Sequence, residues 1–123
     1  NSQPCANNAV WALGEIYLRF PTLMTGVAGR LNGLLVKILS YRDGTVTKGY
    51  LENAAVALGR GIRLSPPGQP SLQQIGAILG RWAVLIGMVS DPIERETAWI
   101  PMISYILEYP EIVSGDAIPL ILK

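Results

Sequence analysis

Apolar residues recur along this chain at every third or fourth position and almost never alternate with polar ones, so the pattern predicts α-helices. The stretch Asn7–Phe20 shows this best. One side of its helical wheel is apolar and carries Ala9, Val10, Leu13, Ile16, Tyr17 and Phe20. The other side places Trp11 between Asn7 and Glu15, in steps of four residues. A large aromatic side chain away from the core stripe either packs against a neighbouring helix or is available to a binding partner.

The same layout returns in the stretch YLENAAVALGRGI. Its apolar side carries Leu51, Ala54, Ala55, Leu58 and Ile62. Its other side carries Glu52, Asn53, Val56 and Arg60. Asn8 and Asn53 are 45 residues apart, and Asn53 and Thr97 are 44 residues apart. Both spacings lie within the roughly 40–47 residues of HEAT and armadillo repeats and exceed the roughly 33–34 of ankyrin and tetratricopeptide repeats. The repeat length therefore predicts stacked HEAT-like hairpins.

The periodicity predicts five helices and a partial sixth, at about residues 6–20, 27–40, 48–64, 72–89, 92–109 and 116–122. They group into a lone helix, two helical hairpins at 27–64 and 72–109, and the start of a further helix. Helical spacing also predicts core stripes for the second, fourth and fifth helices: Val27, Leu31, Leu34, Leu35 and Ile38; Leu72, Ile75, Leu79, Trp82, Ile86 and Val89; and Trp99, Met102, Ile103, Ile106 and Leu107. The predicted fold class is all-α, a fragment of a HEAT-repeat α-solenoid.

Two helix starts and one irregularity can be predicted from local signals. Ser71 followed by Gln74 three residues later fits a capping box, and Asp91 before Pro92 fits an N-cap with proline at the first helical position. Pro101 falls inside the fifth helix, where proline removes a backbone hydrogen bond at a cost of about 3 kcal/mol. We therefore expect a kink near residues 97–101.

Half of the 123 residues are apolar, 15% are charged and the mean hydropathy is +0.32. Such a composition fits helices covered on two sides or a piece of a larger protein, and we favour the second. The absence of an initiator methionine at Asn1 and of a visible targeting sequence agrees with a fragment. A net charge of +1 predicts no nucleic-acid or anionic membrane partner. The apolar run Ile75–Val89 carries Arg81 at its centre and is shorter than the about 20 residues of a membrane span.

The sequence offers few groups for catalysis. It has no histidine and a single cysteine, Cys5, which excludes an internal disulfide, argues against a zinc site and suits a reducing compartment. Glu94 and Glu96 lie two residues apart on a predicted helix and so point in different directions. We therefore expect neither an enzyme nor a cofactor.

Several motifs resemble one family closely. The stretches NNAVWALGEI, YLENAAVALGR, SLQQIGAILGRW and ERETAWIPMISYI, from about Cys5 to Tyr109, resemble the C-terminal HEAT repeats of the karyopherin-β2 (transportin) family. The resemblance implies a nuclear import receptor that shuttles between cytoplasm and nucleus and holds an extended nuclear localisation signal of the proline–tyrosine type. It implies that the B helices, at about residues 7–20, 48–64 and 92–109, form the concave binding face. Ran-GTP and FG nucleoporins are implied as partners of the parent protein, mostly outside this segment.

The resemblance also implies a peptide pocket. Its tryptophan corresponds to Trp11, with Asn7 one turn earlier, and the next repeat contributes Asn53 and a position that is isoleucine in the family and Val56 here. Glu15, one turn after Trp11, would favour basic residues in the bound signal. Pro101 replaces a glycine of the family pattern, and the connection at residues 41–48 is longer by about two residues, which suggests a distant relative.

Other interpretations of the same residues remain open. Trp11 would be structural if it packed against the next repeat, and Asn7 if it capped the helix. Arg60 and Glu52 fit contacts between repeats as well as contacts with a peptide, whereas Trp82 and Trp99 lie on core stripes. The alternative for the whole chain is a HEAT-repeat scaffold subunit with no import role.

Overall fold

A computed structural model describes residues 2–42 and 44–113, which form five α-helices and three short 3-10 turns without a strand. The helices are α1 (Ser2–Arg19), α2 (Ala28–Ser40), α3 (Lys48–Gly61), α4 (Leu72–Gly87) and α5 (Pro92–Glu108). The 3-10 turns are Pro21–Met24, Ile62–Leu64 and Pro110–Ile112. The all-α, HEAT-like class predicted from the sequence is confirmed. The partial helix predicted at 116–122 lies outside the described residues.

The helix starts follow the predicted capping signals. The Ser71 hydroxyl accepts a hydrogen bond from the Gln74 backbone N–H at 3.1 Å, and the Gln74 side chain accepts one from the Ser71 N–H at 2.9 Å. Asp91 likewise accepts a bond from the Ile93 N–H at 2.9 Å. Each bond satisfies one of the N–H groups that a helix start leaves without an intrahelical partner. The predicted kink at Pro101 stays a prediction, and the helical assignment of α5 is continuous through that residue.

The helices form two layers. One layer contains α1, α3 and α5 side by side, and the other contains α2 and α4. The helix α3 packs against each of the other four helices. Its two neighbours within the layer come close because small residues face them: Gly14 of α1 lies against Ala57, and Gly59 of α3 lies against Ala98. This central position makes α3 the most completely enclosed helix.

The predicted core stripes hold best where a helix is covered on several sides. The predicted apolar positions of α3 are all buried, and so are those of α4 apart from the half-buried Leu72. The stripes of the other helices are partly open: Phe20, Leu34 and Leu107 are exposed, although the wheel placed each in the core. The reason is that α1, α2 and α5 have fewer neighbours than α3 among the described elements.

A buried asparagine joins three elements of the fold. Asn32 of α2 is fully buried; its side-chain oxygen accepts a hydrogen bond from the Tyr17 hydroxyl at 2.8 Å. Its amide group donates to the Gly61 carbonyl at 2.9 Å and to the Ser65 hydroxyl at 3.2 Å. Buried polar groups must be paired to avoid a desolvation cost, and here all of the partners are supplied from neighbouring elements. Asn32 therefore fixes α2 against α1 and the end of α3.

Trp82 occupies the centre between the layers. It is fully buried, its indole N–H donates to the Ala55 carbonyl at 2.7 Å, and its ring stacks on Trp99 with centroids 5.1 Å apart. The structural roles predicted for Trp82 and Trp99 are thus confirmed. Within the described part of the chain, no helix combines the length and the hydropathy needed to cross a bilayer.

Replacing Gly59 by alanine is expected to destabilise the fold. A Cβ atom there would lie 2.6 Å from the Ala98 carbonyl oxygen, so the backbone of α5 would have to move. We expect the free energy of unfolding, measured with urea, to fall by about 1–3 kcal/mol. The matched control is Gly33→Ala within α2, where a Cβ meets nothing within 4 Å and helix propensity should improve. Equal stability of both variants would contradict the close packing of α3 on α5.

The Tyr17–Asn32 bond makes a prediction for alkaline pH. Tyr17 is 2% exposed, and burial raises the pKa of its hydroxyl above the ordinary tyrosine value of 10.0. The folded state therefore favours the protonated form, and its stabilising contribution is complete below about pH 10 and declines at higher pH. We expect Tyr17→Phe to be less stable at neutral pH but to lose less stability between neutral and strongly alkaline pH. Urea unfolding across that range, with the exposed Tyr41→Phe as control, tests this, and parallel profiles for Tyr17→Phe and the parent would contradict it.

Candidate functional site

Trp11 projects from α1 on the surface where α1 lies beside α3. Its side chain is 55% exposed, and its indole N–H has no hydrogen-bond partner among the described residues. Two polar bridges between α1 and α3 flank it, one turn earlier at Asn7 and one turn later at Glu15. Trp11 is therefore an exposed aromatic surface between two cross-helix contacts.

The first bridge joins two asparagines that the sequence predicted to share a site. The Asn53 side-chain amide donates to the Asn7 side-chain oxygen at 2.7 Å. One primary amide offers two N–H donors and one oxygen with two lone pairs, so this single bond leaves both side chains with unused capacity. If both side-chain amides were turned by 180°, so that nitrogen and oxygen exchanged places, the pair would still have the same number of unused donors and acceptors. The pair can thus still donate to one backbone carbonyl and accept from one backbone N–H.

The second bridge is an ion pair continued to a third helix. The Arg60 guanidinium donates to the Glu15 carboxylate at 3.0 Å and to the Thr97 hydroxyl at 2.9 Å, so it connects α1, α3 and α5. Its side chain is only 7% exposed. Glu15 also pairs with Arg19 at 3.4 Å on the surface. The interpretation of Arg60 as a contact between repeats is confirmed, and Glu15 is already partly neutralised by two cations.

Val56 does not belong to this surface. The wheel placed it away from the core, but its side chain is 3% exposed and belongs to the hydrophobic core. The wheel treats a helix as having one buried side, whereas α3 has α1 and α5 on its flanks as well as α2 and α4 behind it. Only a narrow strip of α3, including Asn53, remains partly accessible.

The structural alternatives for Trp11 and Asn7 are not supported by the geometry. Trp11 is not covered by a neighbouring helix, and Asn7 lies inside α1, which begins at Ser2, so it does not cap the helix. Glu52, a second candidate contact residue, pairs along its own helix with Lys48 at 3.7 Å.

Sequence reasoning missed an apolar depression on the side of the fold where α1 approaches α5. Leu18 lies seven residues after Trp11, on the same stripe of α1, and lines this depression together with Ile93 and Ile100 of α5. Glu96, Thr97 and Pro101 complete its wall. Ile93 is 72% exposed and Ile100 56% exposed. The sequence did contain one sign of this depression: Leu18 is an apolar residue on the same face of the helical wheel as Trp11, away from the core stripe.

The described residues contain no group of three or more histidine, cysteine, aspartate or glutamate side chains that could hold a metal ion. Cys5 is exposed and free. The arrangement around Trp11 offers an aromatic surface, amide groups and paired charges, which are groups that bind a peptide.

Comparison with known proteins shows what this chain is similar to. No protein-family model and no solved structure matches the chain. Over 94 residues, 76% of its length, it is 31% identical to Transportin-1 of Oryza sativa subsp. japonica, and over 93 residues, also 76%, it is 30% identical to Transportin of Dictyostelium discoideum. The chain is a transportin-like segment. It spans about 10% of the length of each of these relatives.

The bridge through Arg60 should stabilise the transportin-like segment. Arg60→Met keeps most of the apolar stem but leaves Glu15 and Thr97 without their shared donor. Because Glu15 retains Arg19 and some water contact, we expect a loss of about 1–3 kcal/mol in the free energy of unfolding. Arg19→Met removes the other partner of the same carboxylate at a site 64% exposed, and should change stability by less than about 0.5 kcal/mol.

A double-mutant cycle of Arg60→Met with Glu15→Gln, measured by urea unfolding, isolates the pair. Coupling near zero would contradict a stabilising ion pair between Arg60 and Glu15.

Proposed function

We propose that this segment binds an extended peptide, a proline–tyrosine-type nuclear localisation signal of a cargo protein, on the surface formed by α1 and α3. The single observation that carries the proposal is the exposed Trp11 held between the Asn7–Asn53 and Glu15–Arg60 bridges. The similarity to transportins supports it, because a transport receptor acts by binding and releasing a protein without covalent chemistry.

Trp11 supplies the apolar anchor of the proposed site. An indole ring offers a large rigid surface at little cost in side-chain entropy, and tryptophan is among the residues most often found at binding hot spots. Its free N–H can donate to a carbonyl of the bound chain. We therefore assign an apolar residue of the signal to this ring.

The asparagine pair supplies the backbone contacts. An extended peptide leaves its N–H and C=O groups without internal partners, and burying them against a protein requires replacements. The remaining donor and acceptor capacity of Asn7 and Asn53 suits one residue of such a backbone. Because these hydrogen bonds go to the backbone of the peptide and not to its side chains, the site would accept signals of varied sequence.

Glu15 supplies the charge preference. A basic residue next to the apolar anchor would approach a carboxylate that Arg60 already orients. The attraction is moderate because Arg60 and Arg19 share the same carboxylate. Val56 is not among the proposed contacts, since it is buried beneath the surface.

We place the segment in a longer import receptor that shuttles between cytoplasm and nucleus. In that receptor the odd-numbered helices would line the concave face, and Ran-GTP and FG nucleoporins would act mostly through other repeats. The segment itself requires no enzyme activity and no cofactor for this role.

Trp11→Ala tests the proposed site. We expect the affinity for a labelled signal peptide with basic, hydrophobic and proline–tyrosine parts to fall by at least about 2 kcal/mol, as for a hot-spot tryptophan. Because Trp11 is exposed, the free energy of unfolding should change by less than about 0.5 kcal/mol. Fluorescence anisotropy measures binding by the 123-residue chain, and circular dichroism with urea measures folding.

The matched control is Val84→Ala, which removes apolar surface at a site 49% exposed on α4, in the other layer. It should leave peptide affinity unchanged. Unchanged binding by Trp11→Ala, or no binding by the parent chain, would reject the proposed site and favour a scaffold role. A loss of about 3–5 kcal/mol of stability would instead make Trp11 a core residue.

A further inference from the structure

The apolar depression between α1 and α5 lies beside the proposed peptide site without being part of it. It has a volume of about 300 Å³, and its apolar wall consists of Leu18 of α1 with Ile93 and Ile100 of α5. These three side chains are 42%, 72% and 56% exposed. Trp11 and the asparagine pair do not line the depression. Several exposed aliphatic side chains that converge on one depression are typical of a binding surface.

The repeat relates this depression to Trp11. Moving forward by 45 and then by 44 residues takes Trp11 to Val56 and then to Ile100. The position is apolar in all three helices, and it is 55% exposed in α1, 3% exposed in α3 and 56% exposed in α5. Trp11 keeps its exposure although α1 packs closely against α3. Trp11 and Ile100 are therefore equivalent exposed apolar positions on the two flanks of α3.

A series of polar contacts connects the two places. Glu15 lies four residues after Trp11 and three residues before Leu18. Its carboxylate accepts a hydrogen bond from Arg60, and Arg60 also donates to the Thr97 hydroxyl. Thr97 in turn lines the depression. The surface between Trp11 and the depression is therefore continuous across α1, α3 and α5.

Helix geometry gives the distance between the two places. Leu18 is seven residues after Trp11, which corresponds to about 10 Å along α1. The depression lies between α1 and α5, so its centre is displaced sideways from α1 by about one interhelix distance of 8–10 Å. Its centre is therefore about 13 Å from Trp11. An extended chain covers that distance in about four residues, and residues four apart point to the same side of such a chain.

The charges around the depression favour a basic occupant. Glu96 lies on its rim, is exposed, and forms no ion pair with another described residue. Glu15 lies between the depression and Trp11. No lysine or arginine of the described residues lines the depression. A chain that carries basic residues next to its apolar ones would therefore be attracted here, and an acidic chain would be repelled.

We propose that the depression is a second apolar subsite for the same extended signal peptide, about four residues away from the residue bound by Trp11. This inference rests on the proposed function, because it takes Trp11 as the first anchor. The peptide would have the pattern apolar–x–basic–x–apolar, with the basic residue near Glu15 and the second apolar residue between Leu18 and Ile100. The pattern is symmetric about its centre, so it holds for either direction of the bound chain.

The second subsite would make the spacing of the signal decisive. Both apolar residues belong to one chain, so binding of the second one costs little further translational freedom. A second apolar residue at the wrong spacing would gain nothing, because it would point away from the surface or miss the depression. Recognition would then depend on the spacing of two apolar residues as well as on their presence.

Four labelled peptides of equal length test the spacing. Each has one leucine and a lysine two residues after it, in a glycine–serine background. The second leucine stands three, four or six residues after the first, or is replaced by serine. Binding to the 123-residue chain is measured by fluorescence anisotropy. We expect the peptide with a spacing of four to bind at least about fivefold more tightly than the serine peptide, and the other two to bind like the serine peptide.

Variants of the chain test the location. Leu18→Ala and Ile100→Ala should each remove the gain from the second leucine and leave the affinity for the serine peptide unchanged. The matched control is Leu107→Ala, which makes the same change at a site on α5 that is 76% exposed and lies outside the depression. This control should keep the full gain. Circular dichroism checks that each variant keeps the helix content of the parent chain.

Replacing the central lysine of the best peptide by glutamate tests the charge preference. The glutamate would lie near Glu15, so we expect binding to weaken by at least about threefold at low salt and by less at high salt. Equal binding of the lysine and glutamate peptides would contradict a subsite that selects basic signals.

Trp11→Ala separates this inference from the proposed function, because it should weaken the binding of all four peptides. If it does so, three results would reject the second subsite and leave the Trp11 site standing. They are no gain from the second leucine, an equal gain at every spacing, and a gain that Leu18→Ala and Ile100→Ala leave unchanged. If Trp11→Ala changes no affinity, or the parent chain binds none of the peptides, both the Trp11 site and the second subsite are rejected.

Discussion

The fully buried amide of Asn32 is the interaction on which the arrangement of the helices depends. It sits where α1, α2 and the end of α3 meet, and each of its hydrogen bonds goes to a different neighbour: Tyr17, Gly61 and Ser65. Apolar packing alone would allow α2 to shift along α3, because a leucine can occupy the position of another leucine one turn away at little cost. An amide with directional partners permits a single register. A Cβ at Gly61 would lie 2.2 Å from the Tyr17 ring, so the absence of a side chain there is part of the same constraint.

The position of the candidate site follows from that register. Because α1 is held against α3 at Tyr17, two residues that precede it on α1, one by two positions and one by ten, meet their partners on α3 without adjustment. Asn7 reaches Asn53, and Glu15 reaches Arg60, at hydrogen-bond distance. Trp11 is therefore presented on a surface whose surroundings are already ordered, which lowers the entropy cost of binding.

Periodicity was sufficient to predict the helices, their order and the repeat length, because burial on one side of a helix leaves a 3.6-residue signal. It failed where a helix has several neighbours or few. Val56 is buried although it lies off the main stripe of α3, and Leu107 is exposed although it lies on the stripe of α5. Asn32 left no signal, since a polar residue on a helix looks the same in sequence whether it is solvated or at the centre of a buried network. The family resemblance placed Asn7 and Asn53 in one pocket, but the hydrogen bond between them was not predicted, because it depends on how closely α1 approaches α3.

The central position of α3 has a consequence for how the segment opens. Repeat arrays usually lose structure from their ends, one unit after another, because each unit contacts only its neighbours. Here α3 touches every other helix, and Arg60 connects it to both neighbours within its layer. Fraying from either end must therefore stop at α3, and the amide hydrogens of α3 should exchange with solvent only when the whole segment unfolds.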